Sequence, residues 1–546
     1  MLKSPNRIYL KRDTNKWSIL TLAIVVCIAI PILTIFFKLF SGPGETWSHL
    51  VKHVLADYIL NSLWLVVGCS ILTLFFGVSS AWIVSRYKIP YSKSLEWMLI
   101  LPLAIPSYIT AYAYAGIFDY GGSLEILMRT LGISSFKIDI MNIFGLILVL
   151  SLSLFPYIYV SARAIFLYQS GRLIEASKLL GATERGTFFK IVLPVARPAI
   201  VGGLILVLME VLNDYGAAKY FGVSTFTTGI FRSWFSLGEP STAVYLSAIL
   251  LLVVFILIYL ERLQRGAKSY YNSYKSNNIL KKKTVTTKTQ LLLLCIISIP
   301  IVFGFIVPLS QLIYWSFLTY KDVISSSFFI IALQSLGISF LTAFFTVFTA
   351  LMILYFPIWN RLKVLKKVSR IAILGYAIPG AVIAVGVMIP SLIFDKWLIK
   401  MLKELWEIKI GLVINGTILV LLYAYVIRFL AVAFNPIEAN QLKIGKSLSE
   451  SSKLLGKGNI ITFFNIELPL LKSGVIGAFI LVFVDVMKEL PLTLILKPYH
   501  VNTLAVKAYE YASDELIMES ALPSLCIIAT GIVPIIILNR LILNEK

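Results

Sequence analysis

Charge is scarce in this sequence: Asp, Glu, Lys and Arg make up 14% of 546 residues, and only 27 of them are acidic. Soluble domains carry about a quarter charged residues, so a water-solvated globule does not describe this chain. Histidine is scarcer still, with three residues. His49 and His53, four apart, could put two metal ligands on one helical face, but no third ligand stands nearby and His500 is far along the chain; a solvated outer loop is the favoured reading. The four cysteines, Cys27, Cys69, Cys295 and Cys526, lie in apolar runs without paired spacing, which gives no support to a disulfide or metal framework. The GKS at Gly445 has Asn440 where a phosphate-cradling loop needs its first glycine, so the chain carries no such ATPase motif. No cluster of catalytic residues and no repeated selectivity loop is present.

What the chain has is oil: 58% hydrophobic residues and a mean hydropathy of +0.87. A bilayer core needs about 20 apolar residues per helix, and runs of that length recur throughout. The pattern predicts an all-α polytopic membrane protein with twelve spans, near 17–40, 58–84, 95–118, 141–166, 198–220, 243–261, 291–318, 330–357, 370–394, 410–434, 473–497 and 521–541. These runs are too long and too uniformly apolar for barrel strands. The segment MLKSPNRIYLKRDTNKW resembles a signal-peptide n-region, but the apolar run behind it is too long and lacks a cleavage site, so it is retained as the first span. About two thirds of the 49 lysines and arginines fall on one side, with Arg163 and Arg428 read as lying near helix ends on that side. Positive-inside bias then puts both termini in the cytoplasm, and the +22 net charge reports topology and not a nucleic-acid partner.

The chain repeats itself at an offset of 275. Leu173–Pro194 and Leu448–Pro469 align without a gap and are identical at 13 of 22 positions. A weaker echo pairs LPLAIPSYI at Leu101 with LGYAIPGAV at Leu374, where proline predicts a kinked helix. Six spans return the chain to its starting side, so the two units must be parallel repeats about an axis along the membrane normal. The expected organisation is a first half over 1–265 with a polar loop at 167–197, a basic cytoplasmic linker over 266–290, and a second half over 291–546 with a polar loop at 435–472.

Each polar loop has the pattern helix, glycine turn, helix. Glu175 to Leu180 and Glu450 to Leu455 favour helix and end at Gly181 and Gly456, where a left-handed cap is natural. Ser447 and Glu450 have the spacing of a capping box. Leu179, Leu180, Leu454 and Leu455 are apolar knobs on a cytoplasmic element, which a partner protein could bury; a helix that merely covers the bundle is the alternative. The sequences EASKLLG with IVLP, and ESSKLLG with IELP, resemble the EAA loop of ABC-importer permeases, departing at Ser177 and at Ser451 and Ser452. That resemblance implies a coupling helix at each loop, formed by Glu175, Ser177, Leu179, Leu180, Gly181, Phe188 and Phe189 and by Glu450, Ser452, Leu454, Leu455, Gly456, Phe463 and Phe464. It also implies two copies of a separate cytoplasmic ATPase, which uses the ATP, and a periplasmic substrate-binding protein as partners of a permease in a bacterial inner membrane. The chain itself is expected to bind no cofactor.

At the same offset Glu210 matches Asp485 and Asp214 matches Glu489. Spacing by four predicts that each pair shares a helical face; the two faces line a path for a cation, or Lys219, Lys488 or Arg232 neutralise them at the outer surface. Tyr112 and Tyr114 in AYAYAG close an external gate or belong to an interfacial aromatic belt. The fused layout, with MEVLNDYGAAKYFGVSTFTTGIFRSWFSLG after one loop and DVMKELPLTLILKP after the other, resembles ferric-iron importer permeases, which implies iron(III) as solute. Fused thiamine permeases share the layout, and sulfate, molybdate and polyamine permeases share the loop. A secondary transporter of twelve helices is the reading from another class, and it leaves the doubled loop unexplained.

Overall fold

The computed structural model describes residues 16–133, 138–168, 171–265, 282–360, 363–406 and 411–544. Among them the regular structure is helical, and the sole bridge of strand type joins Tyr87 to Lys283. Among the described residues, eight helices are long and apolar enough to cross a membrane, or up to 11 if each of three bent pairs is one span. Several of the runs that hydropathy reads as single spans are thus broken or bent. Ser92–Ala104 and Ser107–Thr130 meet at 90° around Pro106, whose missing N–H and fixed φ interrupt the ladder there. Its echo in the second repeat also breaks, with a tight 3-10 turn over Ile373–Ala377 before the helix that begins at Gly380.

The helices gather into two compact units that do not follow the sequence halves: Met1–Pro43 with Ser325–Val506 and Val533–Lys546, and Gly44–Ile324 with Lys507–Ile532. The basic segment divides two repeats in sequence, whereas the first helix of each repeat packs with helices of the other. In one unit, Lys16–Lys38 lies along Ser326–Asn360 and Gly380–Trp406. A Cβ at Gly386 would come within 2.6 Å of the Pro31 carbonyl, so glycine permits the close crossing. In the other unit, Thr287–Ile301 continues through a π-helical turn, Val302–Ile306, into Val307–Val323. The Tyr114 hydroxyl donates to the Phe303 carbonyl in that turn, and Gly116 leaves room for the Trp315 ring.

The long helix Leu55–Arg86 packs on Pro156–Tyr168, on Ile143–Leu154 and on Leu193–Asn213. Its outer face carries exposed Leu63, Trp64, Ile71 and Phe75, as a helix facing hydrocarbon does.

Candidate functional site

The two polar loops fold alike. The first runs through the helix Gly171–Leu179, the short helix Glu184–Thr187 and a π-helical turn, Phe188–Val192. The second runs through Lys446–Leu454, Asn459–Thr462 and a π-helical turn, Phe463–Glu467. Ser447 therefore lies inside its helix and does not cap it: the helix starts a residue earlier, at Lys446. Gly181 and Gly456 both adopt φ +77°, the left-handed conformation that ends a helix. The amide after each glycine reaches back to the last full turn, Ala182 N to Ser177 O at 3.0 Å and Lys457 N to Ser452 O at 3.2 Å.

The serines of the two loops do more than replace alanine. Ser177 and Ser452 are buried, and their hydroxyls lie 2.9 Å from those of Thr187 and Thr462, also buried. Each pair ties the first helix of its loop to the second. The Ser177 hydroxyl also bonds to the Ile174 carbonyl at 2.8 Å. The repeat of Thr187 at Thr462 is the sequence signal for this tie.

The phenylalanine pairs divide their work. Phe188 packs against Trp82 with ring centroids 4.8 Å apart, and Phe463 against Tyr355 at 4.7 Å, so the first ring of each pair anchors the loop to the end of a long membrane helix. The second ring, Phe189 or Phe464, is exposed. Leu179 and Leu180 are 89% and 88% exposed, and Leu454 and Leu455 are 88% and 81% exposed. Glu175 and Glu450 are exposed as well. Two adjacent leucines that project fully at a glycine turn are an apolar surface without intramolecular cover.

The first loop has a charged brace at its second helix. Glu184 receives Arg86 at 3.3 Å and Lys283 at 2.8 Å, while Lys283 pairs its backbone with Arg86 and Lys88. Lys282 and Arg163 converge on Glu96. The end of the basic segment after the first repeat is thereby held against the first loop.

Two of the four acidic residues, Asp214 and Glu489, lie at helix breaks, while Glu210 and Asp485 lie inside the helices before them. Leu193–Asn213 stops just before Asp214 and Lys472–Met487 stops before Glu489, so neither Glu210 with Asp214 nor Asp485 with Glu489 shares one continuous helical face. The break has a cause in the acids themselves. The Asp214 carboxylate accepts from the amides of Ala217 at 2.9 Å and Ala218 at 3.2 Å and from the Ser107 hydroxyl, which starts the short helix Gly216–Tyr220. Glu489 accepts from the Leu492 amide at 3.2 Å at the start of Pro491–Leu496. A threonine hydroxyl closes each turn, Thr227 to the Asp214 carbonyl and Thr493 to the Glu489 carbonyl, both at 2.7 Å.

One of the expected charge partners is found, and one acid pairs with a residue that was not expected. Asp485 meets Lys488 at 3.0 Å. Glu489 meets Arg428, whose Nε lies 3.1 Å from Oε2 while Nη1 donates to the Ile378 carbonyl. Arg428 is therefore no cytoplasmic end charge: it is 4% exposed, midway along Ile418–Gln441, and lies over the Phe429 ring. Glu210 is half-buried. Tyr112 and Tyr114 are buried, not interfacial, and Tyr112 packs against Tyr220 and Tyr108 with centroids 4.8 and 5.8 Å apart. The Tyr112 hydroxyl has no hydrogen-bond partner among the described residues. His49 and His53 stand side by side on the exposed helix Trp47–His53, and no group of three or more His, Cys, Asp or Glu able to hold a metal occurs among the described residues.

Residues 73–269 match the family described as binding-protein-dependent transport system inner membrane component. An Fe(3+)-transport system permease protein of Haemophilus influenzae is 26% identical over 503 residues, 90% of this chain and 91% of its own length. A spermidine/putrescine transport system permease protein of the same organism is 24% identical over 44% of this chain and 81% of its own length. A sulfate transport system permease protein of Escherichia coli is 26% identical over 32% of this chain and 62% of its own length. The first repeat thus carries the permease domain of binding-protein-dependent transport systems, and the chain as a whole resembles a fused ferric-iron transport permease of the inner membrane.

Proposed function

We propose that the chain is the membrane subunit of an ABC importer for iron(III), delivered by a periplasmic binding protein and driven by two copies of a separate cytoplasmic ATPase. The observation that carries the coupling role is the duplicated loop: the same left-handed glycine, the same buried serine–threonine tie and the same pair of projecting leucines occur at Gly181 and Gly456. Two equivalent apolar knobs suit a motor of two equivalent subunits. The aromatic anchors at Phe188 and Phe463 join each loop to a membrane helix, so a displacement at the knob is passed to the bundle. In this reading the chain forms twelve spans in two parallel six-helix repeats, 1–265 and 291–546 joined by the linker 266–290, with both termini in the cytoplasm. ATP binding to the motor favours the conformation to which the loops dock best, and the permease shifts between inward-facing and outward-facing states by that difference in affinity.

Iron(III) rests on the ferric-iron relative, which matches along nearly its full length, whereas the polyamine and sulfate relatives match less than half of this chain. Glu210, Asp214, Asp485 and Glu489, with Tyr112 and Tyr114, are the oxygen-bearing side chains assigned to the translocation path. Asp214 and Glu489 each cap the helix after a break, and the Tyr112 hydroxyl has no hydrogen-bond partner among the described residues. The test is uptake by proteoliposomes containing this chain, the ATPase and the binding protein, offered radioactive ferric iron, thiamine, sulfate or spermidine. Iron accumulation that requires ATP is expected. Uptake of another solute sinks the iron assignment, and uptake driven by an ion gradient without ATP sinks the importer class.

A further inference from the structure

One cavity lies away from the polar loops, beside the short helix Gly216–Tyr220 that Asp214 caps. It has a volume of about 360 Å³ and is formed where the chain leaves the helix Leu193–Asn213 and before it re-enters the membrane at Pro240. The helix from Glu184 to Asn213 is 30 residues long, so at 1.5 Å per residue the cavity opens on the side of the membrane opposite the first polar loop. We propose that this cavity is a binding site for a small oxyanion, a carboxylate or phosphate group, held by Lys219 and Arg232.

Its lining includes two cations and several hydroxyls, from Tyr58, Ser224, Thr228 and Ser236, and no carboxylate. Two positive charges in one recess repel each other, and this is the side of the membrane that is poorer in Lys and Arg, where retained cations call for a reason. A bound oxyanion removes the repulsion and accepts from the guanidinium fork and the ammonium together. The recess is also rigid. Tyr215 and Phe231 stack with centroids 3.7 Å apart and planes 16° from parallel, and Thr225 and Thr228 form a reciprocal cap on the helix Phe226–Phe231. Arg232 then sits on a π-helical turn, Arg232–Ser236, and shares the lining of the recess with Tyr58. The second repeat does not reproduce the site. At the offset of 275, Lys219 becomes Leu494 and Arg232 becomes Lys507, which pairs with Glu510 at 3.7 Å. The volume falls in the range of small-molecule sites.

The inference does not depend on which solute is transported, and it is read without ATP or iron. The full chain in lipid nanodiscs is dialysed against radioactive inorganic phosphate, and separately against radioactive citrate, at fixed ionic strength. Saturable binding of at least one, with one site per chain, is expected. K219Q and R232Q should each weaken it at least tenfold, and K219R should retain it. Binding of phosphate alone identifies an inorganic ligand, while binding of citrate identifies a carboxylate donor; either supports the site. Because both side chains are exposed, the variants should melt with the parent, and stabilisation by the bound anion gives a second readout that disappears with K219Q. Absence of saturable binding for both probes, or binding that persists in the K219Q/R232Q double variant, overturns the proposal.

Discussion

The hydroxyls of Ser177 and Thr187 lie 2.9 Å apart inside the first polar loop, and those of Ser452 and Thr462 lie 2.9 Å apart inside the second. The partners are not equivalent energetically. Ser177 has a second acceptor in the Ile174 carbonyl, so Thr187→Val leaves it bonded, whereas Ser177→Ala strands a buried threonine hydroxyl. An orphaned buried hydroxyl costs about 1–3 kcal/mol, a satisfied one much less. Ser177→Ala should therefore weaken ATPase association more than Thr187→Val, and the double variant should fall short of the sum. Titration of the ATPase onto nanodisc-held permease measures all three; equal effects of the two single changes would falsify the ordering.

Gly181 and Gly456 should resist any β-branched replacement. At φ +77° an L-residue pays about 1–2 kcal/mol in steric strain, and the turn is what presents the leucines. Gly181→Val and Gly456→Val should each abolish ATP-driven uptake while leaving the protein in the membrane. Uptake at parental rates in both would remove the glycine turn from the mechanism.

The leucine knobs predict a separation of stability from coupling. Leu179, Leu180, Leu454 and Leu455 bury almost nothing in the chain itself, so Leu180→Asp or Leu455→Asp should change the unfolding midpoint little. The same changes should lower copurification of the ATPase at least tenfold. A large loss of thermal stability with the ATPase still bound would mean that the leucines pack inside the permease.

Arg428 and Glu489 predict the opposite behaviour. Both are nearly inaccessible, at 4% and 7% exposure, and removing one leaves the other as a buried unpaired charge. Arg428→Ala should cost about 3–5 kcal/mol, and Arg428→Met with Glu489→Gln should recover part of that loss. Yield of folded protein and its unfolding midpoint in detergent decide this. Near-normal stability of Arg428→Ala would show that the pair contributes little.

Glu239 supplies a pH dependence outside the spans. Its carboxylate accepts from the hydroxyl and amide of Thr46, which holds it below the usual carboxylate range. A depressed folded-state value means the contribution is present above the unfolded value of about 4.3 and is lost as pH falls through the folded one. Protease access near Thr46 should be flat between neutrality and mild acid and rise only in strong acid, and Glu239→Gln should remove that rise.

The sequence made the polar loops legible because the pattern occurs twice and because glycine, proline and the phenylalanine pair have local consequences. Their glycine turns and exposed leucines stand where the pattern put them. The acidic residues were less legible. Spacing by four implies one face only if the helix continues, and Asp214 and Glu489 end their helices by capping the next ones. Arg428 had no local signal at all, since its partner is 61 positions away and its neighbours are ordinary apolar residues. The charged brace at Glu184 was hidden for the same reason, because Arg86 and Lys283 come from distant segments.

The exchange of first helices has a consequence for how this chain is made. Lys16–Lys38 leaves the ribosome some three hundred residues before Ser326–Asn360 and Gly380–Trp406, the helices it lies along. The N-terminal helix must therefore wait in the lipid, unmatched, while the whole first repeat is inserted. A nick in the basic segment would accordingly not release two independent proteins, because each fragment would hold a helix that completes the other.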